Sequence, residues 1–272
     1  MIGLATFPER TLVERAMTLM VAGPIGADRL AHDVLGLSNA PVAVAERLAV
    51  ALFAADPRVG QLEDGRWALI AEAQGSPLLE ECAFAVVDVE TTGMRASGPD
   101  RVTDVAVVVV QGARRELVFE SLVNPGVPIP PRIQSLTRIT DQMVRVAPSF
   151  ETVADQLLQV LAGRVFVAHN ARFDWRFLSA EMRRARGLRL TAPMVCTVRL
   201  ARRLLPALES RSLDSLSHYY GLENQARHRA AGDALATAQV LERLLLLARE
   251  QGARTLGDLE ALQRRPSASL PT

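Results

Sequence analysis

Four acidic side chains and one histidine stand out because of their types and their spacing. Asp88 and Glu90 lie in FAVVDVETTGM, Asp174 lies in VAHNARFD, and His228 and Asp233 lie in HRAAGD. Grouped carboxylates bind hard divalent cations, and a histidine can exchange protons near neutral pH. Taken together and in this order, the set predicts a site that holds two divalent metal ions and cleaves a phosphodiester bond.

Asp88 and Glu90 are two residues apart on a predicted strand, so both side chains point to the same face. The preceding FAVV indicates a strand buried on both faces. Two ionised carboxylates there repel each other and are costly to bury unless a cation neutralises them. Oxygen ligands favour Mg²⁺ or Mn²⁺. The alternative is a solvated face of an edge strand, because this spacing is common in sequences.

Asp174 is predicted to start a helix, directly after a short strand over Arg164–Ala168. On its own it would be read as an acid that stabilises the helix dipole. His169 and Asn170 lie at the carboxyl end of that strand, which is where α/β sheets tend to bind ligands.

His228 is predicted to lie in a loop before a helix that begins near Ala230, which puts Asp233 in the first helical turn. A loop histidine beside carboxylates can accept a proton. Arg227 and Arg229 flank it, so the alternative is a surface histidine on a basic loop. The two earlier motifs favour the catalytic interpretation.

The motifs together resemble the DEDDh 3′→5′ exonucleases, the group of the DnaQ-like proofreading subunit of bacterial replicases. The resemblance extends from about Phe84 to Leu247. The stretches that carry it are VVDVETTGM, LVNPGVPIP, SLTRITDQMV, VAHNARFDWRFL, CTVRLARRLLP and HRAAGDALAT. It implies an α/β fold with an RNase H-like mixed sheet and flanking helices.

The resemblance also implies roles for individual residues. The residues that would position two Mg²⁺ or Mn²⁺ ions are Asp88, Glu90, Asp174 and Asp233. His228 would be the general base that deprotonates the attacking water. The residues that would contact the terminal nucleotide, its base or the substrate strand are Thr91, Thr92, Met94, His169, Asn170 and Phe173. The chain departs from the family pattern at Asp104, where Glu is usual, at Arg138, where Gly is common, and at Gly232, where a larger residue is frequent.

Four segments are predicted along the chain. Residues 1–72 form a small, mainly α domain that resembles a winged helix-turn-helix, with three helices and a hairpin. Residues 73–80 form a linker, and residues 81–252 form the exonuclease domain. Residues 253–272 form a partly disordered tail, because the end of the chain is rich in Pro and Ser.

The near-zero net charge of +1 hides an uneven distribution of arginine, since the sequence has no lysine. Residues 1–80 carry 6 Arg against 10 Asp and Glu, a balance of −4, and residues 81–272 carry 25 Arg against 20, a balance of +5. The basic part suits a polyanionic substrate. The acidic part favours protein contact over DNA binding, so a polymerase or another protein is the expected partner of residues 1–72.

Composition indicates a soluble globular protein, with 49% hydrophobic and 22% charged residues. The two cysteines lie in apolar runs, which is typical of reduced thiols in a cytoplasmic protein. The first residues lack the pattern of a signal peptide, and the longest apolar run is too short to span a membrane. We therefore expect no contact with a membrane.

The leading hypothesis is a metal-dependent exonuclease that acts on single-stranded or 3′-end nucleic acid, with DNA favoured over RNA. The same chemistry would serve an exoribonuclease that trims RNA 3′ ends. A non-catalytic nucleic-acid-binding or scaffolding subunit is a different class, which the complete set of acids and histidine disfavours. A DNA-binding regulator led by the N-terminal domain is disfavoured by the acidic balance of that domain.

Overall fold

The computed structural model describes residues 11–21, 23–54, 56, 58–69, 76–222 and 227–264. The chain forms two compact units, Met1–Pro77 and Leu78–Thr272.

The first unit has three helices and a two-stranded antiparallel sheet. The elements are α1 (Leu12–Met20), α2 (Ala27–Asp33), α3 (Val42–Phe53), β1 (Val59–Gln61) and β2 (Trp67–Leu69). Its core contains Met20, Leu30, Phe53 and Trp67, and the rings of Phe53 and Trp67 are 5.0 Å apart. These elements agree with the predicted helices and hairpin, whereas the assignment to the winged-helix class stays a prediction.

The second unit is built on a five-stranded mixed sheet in the order β5-β4-β3-β6-β7. The strands are β3 (Phe84–Thr91), β4 (Val102–Gln111), β5 (Arg114–Leu122), β6 (Val165–Ala168) and β7 (Met194–Cys196). The first three pair antiparallel, and β6 and β7 add in parallel to β3. This is the predicted mixed sheet.

The described residues of the second unit also form helices, some of which cover the two faces of the sheet. They are α4 (Pro131–Thr137), α5 (Asp141–Arg145), α6 (Phe150–Leu161), α7 (Arg172–Arg186), α8 (Thr197–Leu204), α9 (Leu213–Tyr219), α10 (Ala230–Glu250) and α11 (Leu256–Arg264). Phe84 and Val86 of β3 pack in one core with α8, α10 and α11, and Ala85 and Val87 pack in the other with α6 and α7. The alternation explains why β3 is apolar throughout its first half. Within the described residues, no helix is both long and apolar enough to cross a bilayer.

Helix α11 lies in the segment that sequence analysis assigned to a tail. Asp258 accepts backbone hydrogen bonds from Arg254 and Thr255, each 2.8 Å long, and Thr255 Oγ1 accepts one from the Asp258 amide. This reciprocal cap starts the helix, and Leu256 and Leu259 are buried against the core. The folded unit therefore extends beyond residue 252. The rest of the predicted tail, from residue 265 onward, lies outside the described residues.

The predicted linker over 73–80 also differs from the structure at its end, and residues 73–75 lie outside the described residues. Leu78 forms an isolated antiparallel bridge with Thr255, and the Leu79 amide donates a 2.9 Å hydrogen bond to the Arg254 carbonyl. Leu79 is only 3% exposed and belongs to the core of the second unit. Folded structure in this unit therefore starts at Leu78.

Candidate active site

The candidate site lies at one edge of the sheet, where the parallel strands β3 and β6 end. The β3–β6 pairing stops at Val86 and Val167, so β3 continues past its neighbour from Val87 onward. Asp88 and Glu90 lie on this extension and on the same face as Phe84 and Val86. A short neighbouring strand thus opens space beside the two carboxylates.

Asp174 fills part of the space that β6 leaves open. It lies in the first turn of α7, is 3% exposed, and its Oδ1 accepts a 3.2 Å hydrogen bond from the Val89 amide. That amide lies past the last β3–β6 pair, so the carboxylate replaces the missing strand partner. The contact fixes Asp174 beside Asp88 and Glu90 in the folded chain.

His228 and Asp233 approach from the start of α10. One ligand atom each from Glu90, His228 and Asp233 lies within 4.8 Å of the other two. His228 has a left-handed backbone, with φ of 57°, and its amide donates a 3.1 Å hydrogen bond to Asp233 Oδ2. Three segments that are far apart in sequence therefore meet at one point in the fold.

The site concentrates negative charge in a buried place. Burial is the main cause of the raised pKa values of three carboxylates, and repulsion between them adds to it. The pKa of Asp88 lies well above its usual value because of burial and the charges of Asp174, Glu90, Asp233 and Asp104. The pKa of Glu90 is raised to about 8 by burial, Asp233 and Asp104. Burial likewise raises the pKa of Asp174 to about 8.

The donor set fits divalent cations of the hard type. Carboxylate oxygens with one imidazole nitrogen suit Mg²⁺ or Mn²⁺ better than thiol-seeking metals. The protein buries carboxylates that resist ionisation without a cation, and bound cations would remove that penalty. The residues present therefore fit a metal site.

Thr91, Thr92 and Met94 follow the carboxylate pair at the end of β3. The hydroxyls of the two buried threonines bond within the loop: Thr91 donates to the Gly93 carbonyl, and Thr92 accepts from the Arg101 amide at 3.0 Å. Met94 is 70% exposed, as an apolar contact for a base would require. The geometry places these residues at the edge of the site, while their contact with substrate stays a prediction.

His169, Asn170 and Phe173 lie between β6 and the first turn of α7. His169 Nδ1 is 2.9 Å from Thr197 Oγ1, and burial lowers the pKa of this histidine to about 4. Asn170 is exposed, with a left-handed φ of 66°, and the ring of Phe173 packs 4.9 Å from that of Phe177. His169 is thus neutral near pH 7, and its role in a substrate groove stays a prediction.

Asp104 and Arg229 are neighbours of the site for which sequence analysis assigned no role. Asp104 on β4 pairs directly with Glu90 on β3 and forms an ion pair with Arg229, whose Nε is 3.0 Å from Asp104 Oδ2. The sequence indicates these two residues only weakly. Asp104 is an acid within the apolar run after RVT, and Arg229 is an arginine next to His228.

The mixed sheet, with clustered carboxylates and a histidine at its edge, defines a hydrolase of the nuclease class. A comparison with family models matches residues 85–241 to the RNase T exonuclease family. The chain belongs to this exonuclease family.

Three known proteins illustrate the relationship. The chain is 35% identical to the DNA polymerase III subunit epsilon of Aquifex aeolicus over 60% of its own length and 80% of that protein. It is 36% identical to the 3′-5′ exonuclease DinG of Bacillus subtilis over 66% of its own length and 19% of that protein. The solved structure of exonuclease X with 5′-overhanging duplex DNA matches with a TM-score of 0.54 and 27% identity, covering 66% of this chain and 99% of the other.

Other curated relatives are longer than the region that matches. The matched region covers 32% of one and 26% of another.

Proposed function

We propose that the protein is a metal-dependent 3′→5′ exonuclease that hydrolyses DNA from the 3′ end and releases 5′-mononucleotides. The observation that carries the proposal is the convergence of Glu90, His228 and Asp233 within 4.8 Å, beside Asp88 and Asp174. The DinG relative supports the direction of cleavage. The complex of exonuclease X with overhanging DNA supports DNA as substrate.

In this mechanism, Asp88, Glu90, Asp174 and Asp233 would hold two Mg²⁺ or Mn²⁺ ions, which would supply positive charge for the attacking and leaving oxygens of the phosphodiester. His228 accepts the proton of the attacking water, for which it must be neutral. Asp233 positions His228 through the hydrogen bond to its backbone amide.

The substrate strand contacts the same edge of the sheet. Met94, which is exposed, packs against the terminal base. Thr91 and Thr92 shape the loop that binds the terminal nucleotide, chiefly through its backbone, because their hydroxyls are engaged within it. His169, Asn170 and Phe173 line the groove for the strand that leads to the scissile bond.

A gel assay of end-labelled oligonucleotides tests the proposal. The substrates are single-stranded DNA, duplex DNA with a mismatched 3′ end, and RNA, each with Mg²⁺, Mn²⁺ or excess EDTA. With a 5′ label, 3′→5′ cleavage gives a descending ladder; with a 3′ label, it releases a labelled mononucleotide at once. Cleavage in excess EDTA would contradict the metal mechanism. Faster cleavage of RNA than of DNA would assign the chain to exoribonucleases.

We further propose that residues 1–72 are a winged-helix-like domain that contacts a polymerase or another protein, so that the exonuclease acts in DNA repair or replication proofreading. The acidic balance of residues 1–80 disfavours direct DNA binding by this part. Removing residues 1–72 should abolish capture of such a partner without changing cleavage of a short oligonucleotide.

A further inference from the structure

Asp104 is a fully buried carboxylate outside the metal-ligand set proposed above. It is 0% exposed on β4, and it lies directly opposite Glu90 in the antiparallel pair. Like charges in directly opposite positions destabilise a sheet, and burial of a carboxylate is costly. Burial also raises its pKa, although its partners oppose that effect. An acid in this unfavourable position requires an explanation.

The partners of Asp104 lie at the start of α10. Its Oδ2 accepts a 3.0 Å hydrogen bond from Arg229 Nε and a 3.3 Å hydrogen bond from the Ala230 amide. Its Oδ1 is buried and has no hydrogen-bond partner among the described residues. One oxygen thus links strand β4 to two consecutive residues of the segment that carries His228.

The backbone at His228 depends on such ties. His228 adopts the left-handed conformation. This conformation costs a residue with a Cβ about 1 kcal/mol or more, and it persists only where the surrounding structure enforces it. Asp233 accepts a 3.1 Å hydrogen bond from the His228 amide. Asp104 binds the next two residues, Arg229 and Ala230. The backbone around His228 is therefore held by an acid on α10 and an acid on β4.

A neutral side chain at position 104 could accept the Ala230 hydrogen bond but could not form the ion pair with Arg229. Charge-assisted hydrogen bonds are shorter and stronger than neutral ones. The negative charge at Asp104, costly beside Glu90, is therefore matched to the guanidinium next to His228. Arg229 in turn lowers the pKa of Glu90, so its placement also affects the carboxylate cluster.

We propose that the Asp104–Arg229 ion pair is a positioning device that holds His228 where it can accept the proton of the attacking water. The inference rests on the proposed function. Asp104 itself contacts neither substrate nor metal in this account and acts through Arg229 and the start of α10.

The test compares Asp104→Asn, Arg229→Gln and the double variant with wild type, using a short single-stranded DNA and Mn²⁺. Misplacing a catalytic group by about 1 Å can cost on the order of 10²-fold in rate. We expect each single variant to lower kcat by roughly 10- to 100-fold. KM and the Mn²⁺ concentration that gives half-maximal activity should stay within a few-fold of the wild-type values. The double variant should be no slower than the slower single variant, because both changes remove the same Asp104–Arg229 ion pair.

The decisive arm places Asp104→Asn in the His228→Ala background. If Asp104 acts through His228, the combined variant has the kcat of His228→Ala alone. If Asp104→Asn lowers that kcat again by its own full factor, it acts by another route and the proposal is overturned. An unchanged kcat in the single variant, while His228→Ala is slow, overturns it as well. An inactive wild type, or a fully active His228→Ala, would instead contradict the proposed function.

A second readout does not depend on activity. Amide hydrogen exchange over residues 227–233 of the metal-free protein should accelerate in Asp104→Asn, with the rest of the second unit unchanged. Arg229→Gln serves if Asp104→Asn does not fold, because Arg229 is partly exposed. Arg227→Gln is the matched control, since it removes the same charge from the same loop but breaks only a surface pair with Asp214. It should match wild type in rate and in exchange, and unchanged exchange in both test variants would overturn the proposal.

Discussion

At the scale of single residues, Asp88 has a crowded electrostatic environment. It faces the charges of Asp174, Glu90, Asp233 and Asp104 in a buried site, and its pKa lies well above the usual value. Such a group destabilises the metal-free fold when it ionises, although the proposed mechanism requires it as a metal ligand. Function and stability therefore make opposite demands on this residue.

Asp88→Ala should abolish nuclease activity and leave the protein folded. Removing one of several crowded carboxylates relieves repulsion, so the unfolding temperature of the metal-free protein at pH 8 should hold or rise. Turnover on labelled DNA and a thermal melt followed by circular dichroism measure the two effects. Glu116→Ala, on the exposed part of β5, is the control and should keep full activity. Near wild-type turnover in Asp88→Ala would remove Asp88 from the ligand set.

His228→Ala should lower kcat by ~10²–10⁴, the usual contribution of a general base. The acid limb of the pH–rate profile should disappear with it, because a protonated imidazole cannot accept a proton. His228→Gln should be similarly slow, since an amide is no base. His218, exposed on α9, provides the control variant His218→Ala. A profile for His228→Ala that matches wild type at every pH would assign the histidine no role in the reaction.

At the scale of secondary-structure elements, apolar patterns predicted the large elements, and local capping decided the others. The run FAVV predicted β3, and the strand predicted over Arg164–Ala168 corresponds to β6. Helix α11 was not predicted, because its start depends on the reciprocal bonds of Thr255 and Asp258 and its apolar face is narrow.

The site was more predictable than its supports for a physical reason. Metal chemistry restricts which residue types can serve as ligands, and so candidate ligands can be read from the sequence. Asp104 is different, because its role depends on β4 pairing with β3 and on α10 starting beside that pair. The contacts of Asp104 with Arg229 and Ala230 join residues more than 120 positions apart. The local sequence marks Asp104 only as an acid in an apolar run and does not indicate these partners.

The bridge between Leu78 and Thr255 predicts where a truncated form of the second unit can begin without loss of stability. A fragment of residues 78–272 should cleave a short single-stranded DNA at the wild-type rate. A fragment of residues 81–272 lacks Leu79, which is buried, so it should unfold at lower temperature. Thermal melts and a rate assay of both fragments test this. Equal stability would show that Leu78 and Leu79 contribute nothing, and an inactive 78–272 fragment would contradict independent units.

At the scale of the whole molecule, the buried carboxylates link stability to pH. In the folded protein the pKa values of Glu90 and Asp174 are about 8, against ordinary values of 4.5 and 3.8. Between those values the folded protein binds protons that the unfolded chain has released. The free energy of unfolding therefore falls as pH rises through this window. Ion-paired acids such as Asp56, whose pKa is lowered, affect the free energy of unfolding at pH values below this window.

The unfolding temperature of the metal-free protein should therefore decrease between pH 5 and pH 8, and saturating Mg²⁺ or Mn²⁺ should remove the decrease. One unit of pKa difference corresponds to ~1.4 kcal/mol, and 1 kcal/mol shifts the melting temperature of a domain of this size by ~2–4 °C. Thermal melts in EDTA and in metal measure both. Glu90→Gln should flatten the slope, whereas Glu116→Gln should not. A stability that rises with pH in EDTA would contradict the buried charges.

The short strand β6 bears on when, during synthesis, the chain acquires a complete set of proposed site residues. Because β6 ends early, Asp174 accepts the hydrogen bond of the Val89 amide in its place. The last of the proposed ligands in chain order, Asp233, lies on α10, some 60 residues after Asp174. Domains emerge from the ribosome N-terminal part first, at about 5–20 residues per second. A nascent chain that has completed the sheet still lacks His228 and Asp233 for several seconds. Under the proposed mechanism, cleavage of nucleic acid cannot begin until α10 has left the ribosome and docked.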